Sequence, residues 1–229
     1  MQELVTLVRL EMKKNNFKHT IFLGIVASSI LLLYLLISAF LIKSGDITLE
    51  NFFNEVLSSN KIVFTLFVAL LINKLFCEEI SSKSISILFT YPISRMKLLL
   101  TKVILIVVTA IPIMFCSMLF HFIILSLLNG MFHFVAGNFS GSLFVSYFFA
   151  SLIHSILATL TAFIPIYIDV KFASTQRTIT SAVVMAVFLY GMMRGSFFGW
   201  PLILSVATAG AGIYLTKKSL ESICDRDIM

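Results

Sequence analysis

Long apolar runs separated by short charged segments dominate the chain. The run from Ile21 to Ile42 contains no charged residue, and about 20 residues of helix cross a hydrocarbon core of roughly 30 Å. Five further runs follow, at residues 62–76, 103–128, 143–168, 179–193 and 202–216. The pattern predicts an all-α integral membrane protein with six transmembrane helices, forming one domain over residues 1–229.

The last two runs are short for membrane spans. At about 1.5 Å per residue, each is shorter than the hydrocarbon core is thick, and only residues 194–201 separate them. They are expected either to cross the membrane or to form a partly re-entrant pair.

Two histidines lie within the predicted spans, His121 in the third and His154 in the fourth. An ionisable group in lipid is costly, which favours a role in a translocation path. Histidines also hydrogen-bond between packed helices, so both interpretations stay open from the residues alone.

Composition excludes a water-soluble domain, because 59% of the residues are hydrophobic and only 12% are charged. The net charge of +6 does not indicate nucleic-acid binding, since the basic residues sit at the ends of apolar runs rather than along one face. The three cysteines match neither a disulfide framework nor a zinc pattern, so no metal site is predicted.

The distribution of basic residues predicts the orientation of the chain. Only Lys43, Lys61 and Arg194 fall between runs on one side, which leaves 14 of the 17 Lys and Arg residues on the other. Loops rich in Lys and Arg stay in the cytoplasm. Both termini are therefore predicted to be cytoplasmic, and the outward loops are too small to form an extracellular domain.

An amphipathic helix is predicted at the N-terminus, within residues 1–18. Four apolar residues share one face at helical spacing: Leu4, Leu7, Val8 and Met12. Glu11 interrupts this face. A solvated pair with Lys14 is one interpretation, which the residues alone leave open.

The segment between the second and third runs predicts a second amphipathic helix. Residues 80–89 place Ile85, Leu88 and Phe89 on an apolar side, with serines and a lysine facing water. Pro92 ends this helix, and Arg95 and Lys102 are expected to anchor the next span at the headgroups. An ordinary cytoplasmic loop is the alternative from periodicity alone.

The same segment resembles the coupling loop of ABC transporter permeases of the type-2 exporter family. The matching positions, in the order acid, small residue, apolar residue, Pro-x-Ser-Arg and Lys, are Glu79, Ser84, Leu88, Pro92, Ser94, Arg95 and Lys102. Lys83 and Ser84 stand where that family usually has Gly-Thr. The resemblance implies an N-terminal elbow helix carrying Glu11 and a cytoplasmic coupling helix that docks on an ATPase.

The resemblance also implies partners. Two six-span subunits, identical or different, would form the pore in a bacterial cell membrane, with two separate ATPase subunits beneath them. The chain lacks a Gly-x-x-x-x-Gly-Lys-Ser/Thr phosphate loop, so ATP would be used by the partner and no cofactor is expected on this chain. Some small family members without large outer loops export or expel antimicrobial and cytolytic peptides, including lantibiotic-immunity transporters, and others handle drugs, sodium or surface polysaccharides. The 23 Phe and 10 Met residues suit a hydrophobic or amphipathic peptide.

Two other functions compete with a transporter. Glu78-Glu79 is close to a signature of CAAX-type intramembrane proteases, but the Phe-x-x-x-His and His-x-x-x-Asn/Asp elements of that family are missing around His121, His133 and His154. A membrane immunity protein without transport activity is the second alternative.

Overall fold

A computed structural model describes residues 2–14, 17–41, 49–77, 94–132, 141–167, 175–192 and 200–225, and all regular elements within these ranges are helical. The helices are α1 (Gln2–Lys14), α2 (Phe17–Leu41), α3 (Leu49–Ile72), α4 (Arg95–Phe132), α5 (Gly141–Thr161), α6 (Thr175–Met192) and α7 (Trp200–Asp225). A π-helical turn, Asn73–Cys77, continues α3.

Helix α3 lies at the centre of the bundle. It packs against α2, α4, α5 and α6, while α7 lies on α5 and α4, and α1 contacts α4. The most apolar window of α3 is 67% buried, against 22% for the window of α2. The core therefore forms around α3, and α2 presents large apolar side chains outward, as a helix facing lipid does.

Four of the helices are long and apolar enough to cross a membrane: Phe17–Ala39, Asn51–Phe76, Arg95–Phe132 and Gly141–Tyr167. These correspond to the first four predicted spans. Helices α6 and α7 cover the predicted fifth and sixth spans, and their crossing of the membrane stays a prediction. Helix α1 covers the predicted elbow, whose position on the membrane surface also stays a prediction.

The second span differs from its predicted bounds. The sequence places its start at Ile62, after the charge of Lys61, whereas α3 begins at Leu49. Lys61 is therefore not in an outward loop but inside the helix, where it is 5% exposed. Apolar run length places the start of this span too late, because polar residues can lie within a membrane helix where they face neighbouring helices.

The fourth span is interrupted just after α5 ends, and α7 packs closely beside this break. A turn at residues 162–163 follows Thr161 before helix resumes, because Pro165 lacks the amide that would donate to the Thr161 carbonyl. A side chain at Gly212 of α7 would overlap the Leu160 carbonyl oxygen. Gly212 therefore provides the close helix packing that glycines permit between membrane helices.

Candidate functional site

Most of the predicted coupling segment, residues 78–93, lies outside the described residues. This holds for five of its predicted site residues: Glu79, Ile85, Leu88, Phe89 and Pro92. The described chain resumes at Ser94, whose carbonyl accepts hydrogen bonds from the amides of Lys97 and Leu98 at 2.9 and 3.3 Å. Helix α4 therefore starts directly after the segment.

Arg95, the first residue of α4, contacts the far end of the chain. Its side chain is exposed, and Nη1 donates to the Cys224 carbonyl at 3.2 Å. Leu220 and Ile223 of the same part of α7 are buried. A cation near the last carbonyls of a helix is favourable, so Arg95 joins the start of α4 to the end of α7.

Lys102 differs most from its predicted position. It was expected to anchor α4 at the headgroups, but its side chain is only 1% exposed, and Nζ donates to Glu11 Oε1 at 2.9 Å. A buried ammonium is costly without a hydrogen-bonded counter-charge. Glu11 and Lys102, called the charged pair below, therefore join α1 to α4.

The charged pair explains why an acidic residue interrupts the apolar face of α1. Glu11 lies beside Val8 and Met12, which are partly buried against the core, and it is itself 9% exposed. The sequence alone suggested a solvated pair with Lys14. Tertiary packing places the Glu11 carboxylate against α4, where Lys102 compensates its charge.

A second polar contact lies among the membrane-spanning helices. It consists of Ser28 from α2, Asn60 from α3, and Ser117 and His121 from α4, called the polar cluster below. His121 and Asn60 are 0% exposed and Ser117 is 5% exposed. His121 Nε2 lies 3.0 Å from the Ser28 carbonyl oxygen, and His121 Nδ1 lies 3.3 Å from Asn60 Nδ2.

The hydrogen-bond geometry of the polar cluster determines the tautomer of His121. A carbonyl oxygen only accepts, so Nε2 carries the hydrogen and donates to Ser28. Asn60 Nδ2 donates to the Val56 carbonyl at 2.8 Å, which orients the amide, so its second hydrogen meets Nδ1 as an acceptor. Ser117 Oγ lies 3.3 Å from Asn60 Oδ1 and 2.9 Å from Ser28 Oγ. A neutral imidazole satisfies all these contacts and joins three helices.

His154 and Lys61 form another buried polar region, between α5 and α3. They are 7% and 5% exposed, and they lie close enough to interact electrostatically. The two predicted path histidines thus lie apart in the described bundle. His121 occupies a helix interface, whereas His154 lies near a buried lysine.

Sequence reasoning missed Ser28, Asn60, Ser117 and Lys61. Serines are common in membrane helices, and nothing in their spacing indicated a contact across helices. Asn60 and Lys61 carried a readable signal, since they stand next to an apolar run and two helical turns after the apolar pair Phe52-Phe53. Apolar run length instead places Asn60 and Lys61 in an outward loop.

A bundle of long apolar helices that enclose buried polar contacts defines the class of this chain as a multi-pass membrane protein. The sequence model of the family described as "ABC-2 family transporter protein" matches residues 7–194, and the chain belongs to that family. This confirms the resemblance seen in the segment that ends at Lys102. The chain is thus the membrane component of an ABC transporter, a family whose members normally work with ABC ATPases.

A relative in Bacillus subtilis (strain 168), described as "Uncharacterized protein YcbO", is 24% identical over 231 residues. The match covers 97% of this chain and 100% of that protein. The similarity therefore extends over nearly all of this chain and all of that protein, beyond the region that the family model matches.

Proposed function

We propose that this chain is the permease subunit of an ATP-driven exporter in a bacterial cell membrane, with both termini in the cytoplasm. It pairs with a second permease subunit, identical or related, and with two ATPase subunits that hydrolyse ATP. Family membership supports the class, and the Pro-x-Ser-Arg segment ahead of α4 supports the coupling mechanism.

The observation that carries the mechanism is the continuity of α4. One helix of 38 residues runs from Arg95 to Phe132, about 57 Å at 1.5 Å per residue. It begins six residues after the end of the proposed coupling helix, contacts α1 through Lys102, and reaches His121 among the spans. A push on residues 80–89 during ATP-driven closure of the ATPases would therefore displace α4 and α1 together.

The proposed substrate is a hydrophobic or amphipathic peptide, with drugs as the neighbouring class. The support is compositional: 23 Phe and 10 Met residues provide apolar and adaptable surface. The outward loops are also too short to form a separate substrate-binding domain. His154 is the proposed polar position along the translocation path, because His121 is buried in a helix interface with both ring nitrogens bonded.

The coupling proposal is tested by co-purification of an ATPase subunit encoded beside this chain. Leu88→Asp puts a charge on the face that would enter the ATPase groove, where an unpaired buried charge costs several kcal/mol. Ser86→Asp is the matched control, because the same charge then lies about 100° around the predicted helix from Ile85. We expect Leu88→Asp to lose the ATPase and substrate-stimulated ATP hydrolysis, and Ser86→Asp to keep both.

Equal ATPase retention by Leu88→Asp and wild type would contradict the coupling assignment and favour a membrane immunity protein without transport activity. Folding is checked separately, since both variants should elute from size exclusion as the wild type does. Arg95→Ala should reduce docking less than Leu88→Asp, because the arginine contacts α7.

The orientation is tested by labelling single cysteines in intact cells with an impermeant thiol reagent. Cysteines at Asp46 and Asn138 should react from outside, whereas those at Ser82 and Ser174 should not. Labelling of Ser82→Cys from outside would reverse the proposed orientation.

A further inference from the structure

A groove runs along the outer surface of the bundle between α2 and α4. Its volume is about 590 Å³, within the range of ligand pockets in proteins. The α2 wall extends from Phe17 to Ser29, and the α4 wall from Val108 to Phe120. No part of the charged pair lines it, so the groove is distinct from that contact.

The groove has the length of one lipid leaflet. From Phe17 to Ser29 the α2 wall rises about 18 Å at 1.5 Å per residue, while half of a roughly 30 Å hydrocarbon core is about 15 Å. The groove begins at the first residue of the first span and ends at Ser28 and Ser117 of the polar cluster. Its depth therefore matches a chain that enters from one membrane surface and stops near the bilayer centre.

The groove surface suits an apolar chain. Two of its hydroxyl groups donate to carbonyls of their own helix: Ser29 Oγ to the Ile25 carbonyl at 2.9 Å, and Thr109 Oγ1 to the Leu105 carbonyl at 2.9 Å. Ser117 donates into the polar cluster. Because these three hydroxyl hydrogens are already used within the bundle, they cannot donate to a polar ligand. The groove surface therefore favours hydrocarbon.

Close helix packing forms the base of the groove. A Cβ atom at Gly24 would lie 2.7 Å from Ile113 Cγ2, so the missing side chain lets α2 approach α4. Ile25 and Val108 flank this contact and are 57% and 53% exposed, which leaves the groove open to the surrounding lipid.

Lys18 stands at the end of the groove where α2 begins, and Lys13 lies four residues before α2 along the chain. Lys13 and Lys18 are exposed, and Lys18 lies one and two helical turns before Ile21 and Ile25 of the groove wall. Helical side chains lean toward the N-terminus, so the Lys18 ammonium points to the headgroup level. Basic sites at this depth recognise anionic lipid headgroups.

We propose that the groove binds one acyl chain of an anionic phospholipid, whose headgroup phosphate contacts Lys13 and Lys18. The lipid belongs to the leaflet on the N-terminal side, which is the inner leaflet in the proposed orientation. The site does not depend on transport activity. A lysine near an anionic surface contributes about fivefold in affinity, so the two lysines account for a strong preference over zwitterionic lipid.

The test is native mass spectrometry of the full chain, reconstituted with equal amounts of phosphatidylglycerol and phosphatidylcholine and then extracted with mild detergent. We expect the wild type to retain one phosphatidylglycerol per subunit. Ile25→Trp fills the groove and should reduce retention at least tenfold. Leu33→Trp is the matched control, since Leu33 is 61% exposed on the same helix and does not line the groove.

The headgroup contact is tested with a second pair of variants. Lys13→Gln with Lys18→Gln should lower the preference for phosphatidylglycerol at least fivefold. Lys217→Gln with Lys218→Gln removes the same charge from exposed positions of α7 and should leave the preference unchanged. The lysine variants still test the proposal if Ile25→Trp fails to fold.

Four results would overturn the proposal. Equal retention of the two lipids by the wild type would remove the headgroup contact, and unchanged retention by Ile25→Trp would remove the groove. Dissociation of a dimer by Ile25→Trp without a change in lipid count would assign the groove to a second copy. Loss of peptide export by Ile25→Trp with unchanged lipid retention would assign the groove to the substrate.

Discussion

The charged pair and the polar cluster both join helices that are far apart in sequence, but they do so with different chemistry. The charged pair joins α1 to the start of α4 through two charged side chains, whereas the polar cluster joins α2, α3 and α4 through neutral groups among the spans. Removing one of two paired buried charges leaves the other without that counter-charge, which is costly. A neutral cluster instead divides its stabilisation among several modest hydrogen bonds, which average about 0.6 kcal/mol each between membrane helices.

The comparison predicts that breaking the charged pair has the largest effect. Glu11→Ala leaves the Lys102 ammonium buried without its carboxylate partner, and removal of one member of such a pair costs about 3–5 kcal/mol. Thermal unfolding of the purified chain, followed by size exclusion with fluorescence detection, measures the loss. Glu221→Ala is the control, because Glu221 pairs with Lys217 at 4.0 Å on an exposed surface and should change stability by about 0.5 kcal/mol or less.

The double variant Glu11→Leu with Lys102→Met sharpens the same point. Apolar replacement of both members of a buried pair is often neutral or stabilising, so the double variant should recover most of the stability that Glu11→Ala loses. A double variant as unstable as Glu11→Ala would show that the pair is not the source of the effect.

A smaller loss is expected when the polar cluster loses its central member. His121→Leu removes the donor to the Ser28 carbonyl and leaves an Asn60 amide hydrogen facing an apolar group, which costs about 1–3 kcal/mol. His19→Leu is the matched control, since His19 is exposed at the start of α2 and should have little effect. A loss with His121→Leu as large as that with Glu11→Ala would contradict the comparison.

His154 separates a packing role from a role in transport. His154→Gln keeps hydrogen-bonding capacity and should leave substrate export nearly intact, whereas His154→Leu should loosen the packing of α5 and reduce stability modestly. Export is measured in cells, with assembly checked by size exclusion. If both variants abolish export while the protein assembles normally, His154 takes part in translocation.

The smallest effect is expected at the edge of the polar cluster. Ser117→Ala removes one hydroxyl that bonds Ser28 and Asn60, so the loss should be close to the average of about 0.6 kcal/mol for a hydrogen bond between membrane helices. Thermal unfolding measures it against wild type, with Ser126→Ala as a control because the Ser126 hydroxyl donates to Phe122 within its own helix. A loss above about 2 kcal/mol would show that the cluster acts as one unit.

The sequence by itself determined the membrane class, the presence of the first four spans and the family. Continuous apolar runs report on these features because lipid requires apolar side chains along a helix. The segment that ends at Arg95 and Lys102 predicted the family from the order of a few residue types, and the family match over residues 7–194 confirmed it.

Only the tertiary structure decided which polar residues are buried and what they contact. Lys61 looked like the end of an outward loop, and Lys102 like a headgroup anchor, because hydropathy treats every charge as a boundary. A charge can lie inside a helical bundle when a residue distant in sequence compensates it, as Glu11 does for Lys102 at 2.9 Å. That compensation depends on which helix faces meet, which no single run of residues records.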